Sequence, residues 1–253
     1  MAMQQQLKLF NASLSATRRT DLRRKKSPAT EPAPGHWNLW TQETDQERDM
    51  ALFFLDIRNF TPFVERHGAG DVIYVIRKLF SAFQNIIRAQ RGQIIETSGD
   101  GFYAAFGFDC PIEEAVNAAV RAGLAILQHL DVLNAQVFHK TLQQSIEVGI
   151  GLHAGKVATG RILLGSKEHT IVMGYPVNVA ARLQSATKEV NNSFVVSERV
   201  FDLLYDAPAA IPTTCLPLKG VTEPVRVHLL GKPYQHATLA AHELHAVAIP
   251  TGE

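Results

Sequence analysis

Hydrophobic and polar positions divide the chain into a sparse leader and a dense middle, from about Asp49 to Leu230. The stretch "ALFFLDIRNFTPF" (Ala51 to Phe63) opens with the apolar run Leu52 to Leu55 and predicts a buried strand over 50–56. Helical spacing follows at 60–67 and 70–90, with Val72, Val75, Ile76, Leu79 and Phe83 on one face. Short strands at 92–97 and 102–107 flank "SGDG", whose glycines suit a tight hairpin turn. Pro111 stands in the first turn of a long amphipathic helix over 111–133. Alternation from Ser145 predicts a strand over 145–153, then a glycine-marked turn at 154–156 and a strand through about 164. A helix over 176–189, a strand at 192–196, a short helix at 197–205 and strands near 213–218 and 224–230 complete the pattern. This order predicts an α+β fold, a ferredoxin-like βαββαβ core with an extra C-terminal helix and strands.

Composition narrows the class. The chain has 253 residues and a net charge of +1, enough for one large domain with extensions. The expected division is a basic, Pro-rich, flexible arm over 1–48, a folded domain over 49–232 and a tail over 233–253 that carries no chemistry. Six basic residues lie between Arg18 and Lys26, offering a contact to an anionic surface or an acidic regulatory partner. Trp37, Leu39 and Trp40 are apolar enough to dock on the neighbouring domain. The folded part has no basic stripe with interleaved aromatics, so no nucleic-acid partner is expected. Cys110 and Cys215 form neither a disulfide framework nor a metal-ligand spacing. With no membrane-length apolar run and no secretory leader, the expected location is the cytoplasm.

Two acids carry the chemistry. Asp56 closes the first core strand, and Asp100 sits in the turn between the next two. In a ferredoxin-like sheet the first strand lies beside the third, so the two carboxylates converge at one edge. Converging carboxylates repel unless a cation separates them. A hard divalent ion fits, because it takes carboxylate oxygens and leaves positions for phosphate. Beside them, Asn59, Phe60 and Thr61 begin a helix whose free N–H groups favour phosphate. Each acid alone reads more simply as a turn or cap residue; together they favour metal–phosphate chemistry.

At these residues a resemblance emerges. "FLDIRNFT" (Phe54 to Thr61) matches the F-x-D-I-x-x-F-T signature of class III nucleotide cyclases, and "SGDGFYAAFG" looks like that family's second metal-binding hairpin. "IEVGIGLHAGKVATG" (Ile146 to Gly160) and "MGYPVNVAARLQ" (Met173 to Gln184) are also similar to the family, over about 49–230 in all. The resemblance implies conversion of a purine nucleoside triphosphate into a 3′,5′-cyclic monophosphate and pyrophosphate. It also implies two Mg²⁺ or Mn²⁺ ions per site, held by Asp56, Asp100 and the Ile57 carbonyl. Asn178 would orient the ribose and Arg182 would stabilise the transferring phosphoryl group, being four residues apart on one helix face. Gly99, in the metal hairpin, is counted with the substrate-binding residues, and Lys219 resembles the lysine that binds the terminal phosphates. Family members share their sites across a homodimer, which implies an isologous dimer here.

The base is less determined. Glu96 stands where adenine-selecting relatives carry lysine, and a carboxylate accepts from guanine N1–H and N2–H₂. The second selecting position aligns with Ile171, or with Thr170 on a one-residue shift. Tyr175 replaces the acid that usually follows Gly174, with Pro176 after it, which narrows the lead that Glu96 gives GTP over ATP. His153 and His169 read as structural. An alternative is a catalytically silent, cyclase-like dimeric regulatory module; retention of Asp56, Asp100, Asn178 and Arg182 together argues against it. A diguanylate cyclase or polymerase palm would show a second acid in the hairpin, which "SGDGF" lacks.

Overall fold

The apolar run read at 50–56 lies inside a longer strand, β1 (Gln46–Ile57), in the computed structural model, which describes residues 46–207 and 210–235. Met50 to Leu55 are buried, as a central strand covered on both faces requires. Two helices follow, α1 (Phe60–Arg66) and α2 (Ala69–Ala89). The hairpin strands β2 (Gln93–Ser98) and β3 (Gly101–Phe106) come next, then α3 (Ile112–Leu133). Strand β1 pairs antiparallel with β3 on one side and with β4 (Val148–Leu164) on the other, while β2 lies outside β3. That is the ferredoxin-like order. The remaining elements are β5 (Lys167–Met173), α5 (Tyr175–Ala186), β6 (Phe194–Ser197), α6 (Glu198–Phe201), β7 (Thr213–Leu216) and β8 (Val225–Leu229). A four-residue helix, α4 (His139–Leu142), precedes β4. The sheet runs β2-β3-β1-β4-β6-β8-β7, with β5 paired to the distal part of β4.

Strand alternation gives the sheet two unlike faces. Ala51, Phe53, Leu55 and Ile57 join Val75, Leu79, Phe83 and Ile87 of α2 and the apolar side of α3 in the larger core. Phe53 is fully buried, with Phe102, Phe106 and Phe194 rings 6.2–6.3 Å away. Burial of such a ring contributes about 1.5–3 kcal/mol. Met50, Leu52 and Phe54 face the other way, toward Val157, Val172 and Ala180 and Ala181 of α5.

Four departures separate the structure from the sequence pattern. No turn interrupts 154–156; β4 is one 17-residue strand. Its glycines mark close approach instead. A Cβ at Gly151 would stand 2.1 Å from the Gln184 backbone nitrogen, and one at Gly155 would stand 2.5 Å from the Pro176 ring. The chain then turns back as β5, a strand the hydrophobic pattern does not announce. Helix α3 runs on through a π-helical turn (Asn134–Phe138), where the Asn134 side chain accepts from Ile146 N and donates to Ile146 O, both at 2.8 Å. The helix read at 197–205 stops at Phe201, because the Asn117 side chain takes the Leu203 carbonyl and the Tyr205 amide.

Both cysteines are free thiols. No helix among the described residues is long and apolar enough to cross a membrane. The basic cluster, Trp37, Leu39, Trp40 and most of the 233–253 tail lie outside the described residues.

Candidate active site

Asp56 follows Phe54 by two residues and therefore projects on the α5 face of the sheet. It stands opposite Gly101 of β3 and Gly149 of β4. Ser98 pairs with Gly101, which leaves Gly99 and Asp100 as a two-residue turn with Gly99 at φ 58°. A Cβ at Gly101 would meet the Leu55 carbonyl at 2.7 Å and Asp56 Oδ1 at 3.1 Å. Glycine there lets the turn settle directly onto Asp56. The Ile57 amide then donates to the Asp100 carbonyl at 3.2 Å, fixing the second acid beside the first. The two carboxylates that the sequence separates by more than forty residues are neighbours.

Their proximity is costly without a cation. Burial, reinforced by the negative charge of Asp56, pushes the Asp100 carboxyl from its ordinary 3.8 up to about 6. Arg58 offsets part of that charge, with Nη2 3.4 Å from Asp56 Oδ2. The donor set suits a hard divalent ion: two carboxylates that repel each other, with a backbone carbonyl at Ile57 between them in sequence. No group of three or more His, Cys, Asp or Glu side chains gathers among the described residues. The rest of a coordination shell would thus come from water or a ligand's oxygens.

The other residues singled out by sequence take up distinct places. Asn59 caps α1 in the left-handed conformation at φ 54° without a side-chain cap bond; Phe60 is half-buried and Thr61 exposed. Asn178 and Arg182 are half-buried on α5. Among the described residues the Arg182 side chain makes no hydrogen bond or ion pair. Lys219 is exposed in the turn between β7 and β8, and the strand order sets β8 three strands from β1. One chain alone therefore brings together the two acids and the Gly99 turn, but not Lys219. His153 bonds Ser197 Oγ at 2.8 Å, and burial pushes its imidazole down to about 4, which fits a neutral structural role.

The β2 strand holds a feature sequence reading missed. A register shift between Ile94 and Glu96 puts both Gln93 and Glu96 opposite residues of the α5 face, Ala105 and Tyr103 respectively. Tyr103 stacks on Phe54 at 4.6 Å, and burial together with the Glu96 charge raises its phenol. On β5, Val172 packs into this same face, so Thr170 shares it while Ile171 alternates away. Gln93 Nε2 donates to Thr170 Oγ1 at 3.2 Å. Arg58, beside Asp56, was likewise not legible as a site residue.

Comparison with known proteins places this geometry. The chain belongs to the adenylate and guanylate cyclase catalytic domain family, whose model matches residues 42–229. A germination-specific adenylate cyclase of Dictyostelium discoideum is 30% identical over 160 residues, 63% of this chain and 18% of that protein. The chain thus spans under a fifth of that relative's length. Among solved structures, the guanylyl cyclase Cya2 superposes with a TM-score of 0.67 at 25% identity, covering 76% of this chain and 96% of that one. The adenylyl cyclase CyaB of P. aeruginosa gives 0.66 at 23% identity, covering 76% and 98%, a likeness of fold.

Proposed function

We propose that the protein is a purine nucleotide cyclase that forms a 3′,5′-cyclic nucleotide and pyrophosphate. The observation that carries this reading is the Asp56–Asp100 pair, in which burial and then the charge of Asp56 raise Asp100 to about 6. Mg²⁺ or Mn²⁺ bound there would lower the pKa of the ribose 3′-OH and neutralise phosphate charge. Asp56, Asp100 and the Ile57 carbonyl are the residues to hold it. Phosphate oxygens approach the Asn59–Thr61 turn and, in the assembled enzyme, Lys219. Arg182 donates to the phosphoryl group as negative charge grows on it, and Asn178 holds the ribose. An arginine whose side chain has no ion pair among the described residues is suited to serving a neighbour's site, which supports an isologous homodimer with two shared sites.

Base choice follows from hydrogen-bond direction. Glu96 accepts, which suits guanine N1–H and N2–H₂. Gln93 already donates to Thr170 Oγ1, so the threonine proton is directed outward, toward an acceptor such as guanine O6. Adenine offers a donor at that position. GTP is the preferred substrate on this reading, with Thr170 in place of Ile171 as the second selector.

The deciding experiment mixes two inactive variants. Asp56→Ala and Arg182→Ala, each silent alone, are expected to recover about a quarter of wild-type activity after subunit exchange, since random pairing restores one site in half the dimers. Chromatography of the product from GTP and from ATP reads base choice in the same assay. Full activity in either single variant would overturn its assigned role, and absence of recovery would overturn the shared site.

A further inference from the structure

Arg58 follows Asp56 by two residues as the chain leaves β1, and it is only 8% exposed. Among the described residues its single ion pair is the 3.4 Å contact to Asp56 Oδ2, and Nε and Nη1 are buried without a hydrogen bond. A buried guanidinium with two unmet donors destabilises a fold, so its retention asks for a reason.

The surroundings are built to receive it. Gly149 faces Asp56 across the β1–β4 ladder, and a Cβ there would stand 2.8 Å from Arg58 Nη2 and 2.5 Å from Thr187 Oγ1. Thr187 is fully buried, its hydroxyl donating to the Gln184 carbonyl at 2.6 Å. The remaining wall arrives from far along the chain. Burial pushes the Tyr234 phenol up, while Arg58 and Thr187 pull it down, so the ring lies within electrostatic reach of both. Its hydroxyl is sealed from solvent beside Thr187.

Residues 231–235 hold Tyr234 there like a strap. Gly231 N donates to Asn192 Oδ1 at 3.0 Å, and Lys232 N to Ser193 Oγ at 2.9 Å. Tyr234 N donates to Asn191 Oδ1 at 3.1 Å and Gln235 N to Glu147 Oε1 at 2.7 Å. Lys232 Nζ pairs with Asp131 at 2.7 Å.

We infer that Arg58 is a positioning residue for the Asp56 carboxylate, and that the 231–235 strap, through Tyr234, closes the pocket that holds Arg58. The guanidinium occupies Oδ2, which leaves Oδ1 on the side of the Gly101 turn where Asp100 stands. This inference rests on the reading of Asp56 as a metal ligand. The two hypotheses for Arg58 differ in sign. Acting through charge alone, a cation beside a ligand weakens metal binding, so its removal would tighten it; acting through orientation, its removal loosens it.

The test titrates Mn²⁺ into the full chain with 3′-deoxy-GTP or 3′-deoxy-ATP present, which bind without cyclising, and follows free Mn²⁺ by electron paramagnetic resonance. Arg58→Ala is expected to weaken Mn²⁺ binding about tenfold, with partial recovery on adding guanidinium ion at concentrations that leave the melt unchanged. Tyr234→Ala should weaken it about threefold and Tyr234→Phe by less than about twofold, since the ring and not the hydroxyl closes the pocket. Unchanged or tighter binding in folded Arg58→Ala would overturn the role of Arg58. Should that variant fail to fold, Arg58→Lys and Tyr234→Ala carry the decision, and wild-type affinity in both would overturn the inference. If Asp56→Ala also binds Mn²⁺ like wild type, the reading of Asp56 fails instead.

Discussion

Phe53 and Phe54 are neighbours on one strand, yet they open onto two regions with opposite physics. On the Phe53 side the residues two and four further on, Leu55 and Ile57, continue a closed hydrophobic core against α2 and α3. On the Phe54 side the next residue in register is Asp56, beside Asp100, Arg58 and the base of α5. The first face stabilises the fold by area removed from water. The second keeps two like charges and a poorly partnered cation close together, at a cost to stability. Placing that cost on the strand most firmly held by its other face is what allows it to persist.

The comparison breaks most sharply at Asp100. Asp100→Asn is expected to lower cyclase turnover on the order of 1,000-fold, because one of the two ionic ligands is lost. The same change should raise the melting temperature of the metal-free protein at pH 7.5. The sign follows from the raised carboxyl, at about 6 in the fold against an ordinary 3.8. Between those values the folded chain keeps a proton that the unfolded chain releases, so stability falls as pH climbs through the window and stays lower above it. Asparagine removes that loss. Melting curves of the two proteins should therefore converge below pH 3.8 and separate above about 6. A variant less stable than wild type at pH 7.5 would mean that the acids are not in conflict.

A second break concerns how α5 is seated. Gly151→Ala would place a methyl 2.1 Å from Gln184 N and 2.6 Å from Ala180 O, both backbone atoms that cannot rotate away. The helix must shift, destabilising the protein by about 1–3 kcal/mol. Arg182 shifts with it, and a displacement near 1 Å is expected to lower turnover about 100-fold. Guanidinium chloride unfolding and the cyclase assay measure the two effects on one preparation. Unimpaired turnover would separate Arg182 from the reaction.

Much of this was legible in the chain, for reasons that particular residues make clear. Leu52 to Leu55 followed by an acid, and "SGDG" between apolar runs, are local signals, and the ferredoxin-like order then dictates that β1 and β3 meet. Asn178 and Arg182 share a helix face by spacing alone. The glycines of β4 misled, since a residue that permits a turn also permits a helix backbone to approach, and only the packed structure tells the two apart. Strand β5 escaped notice because four of its seven residues, Lys167 to Thr170, are polar. Arg58 looked like a spacer inside a motif, and Tyr234 gains its meaning from a contact no local pattern encodes. The Gln93–Thr170 bond is of that kind too, its partners being 77 residues apart.

That bond supplies the smallest expected effect and the one that sharpens the reading of the α5 face. Gln93→Leu removes the donor that orients the Thr170 hydroxyl while leaving Glu96 in place. A single hydrogen bond of this kind contributes about 0.5–1.5 kcal/mol, so the ratio of kcat/KM for GTP over ATP should fall roughly 2- to 10-fold. Thr170→Val should produce the same fall, and the double variant no further one, because both changes act through the same threonine hydroxyl. Ile171→Ala, on the opposite side of the strand, should leave the ratio within about twofold of wild type. If Ile171→Ala moves the ratio while Thr170→Val does not, the selecting residue lies one position later and the outward-directed threonine proton has no part in reading the base.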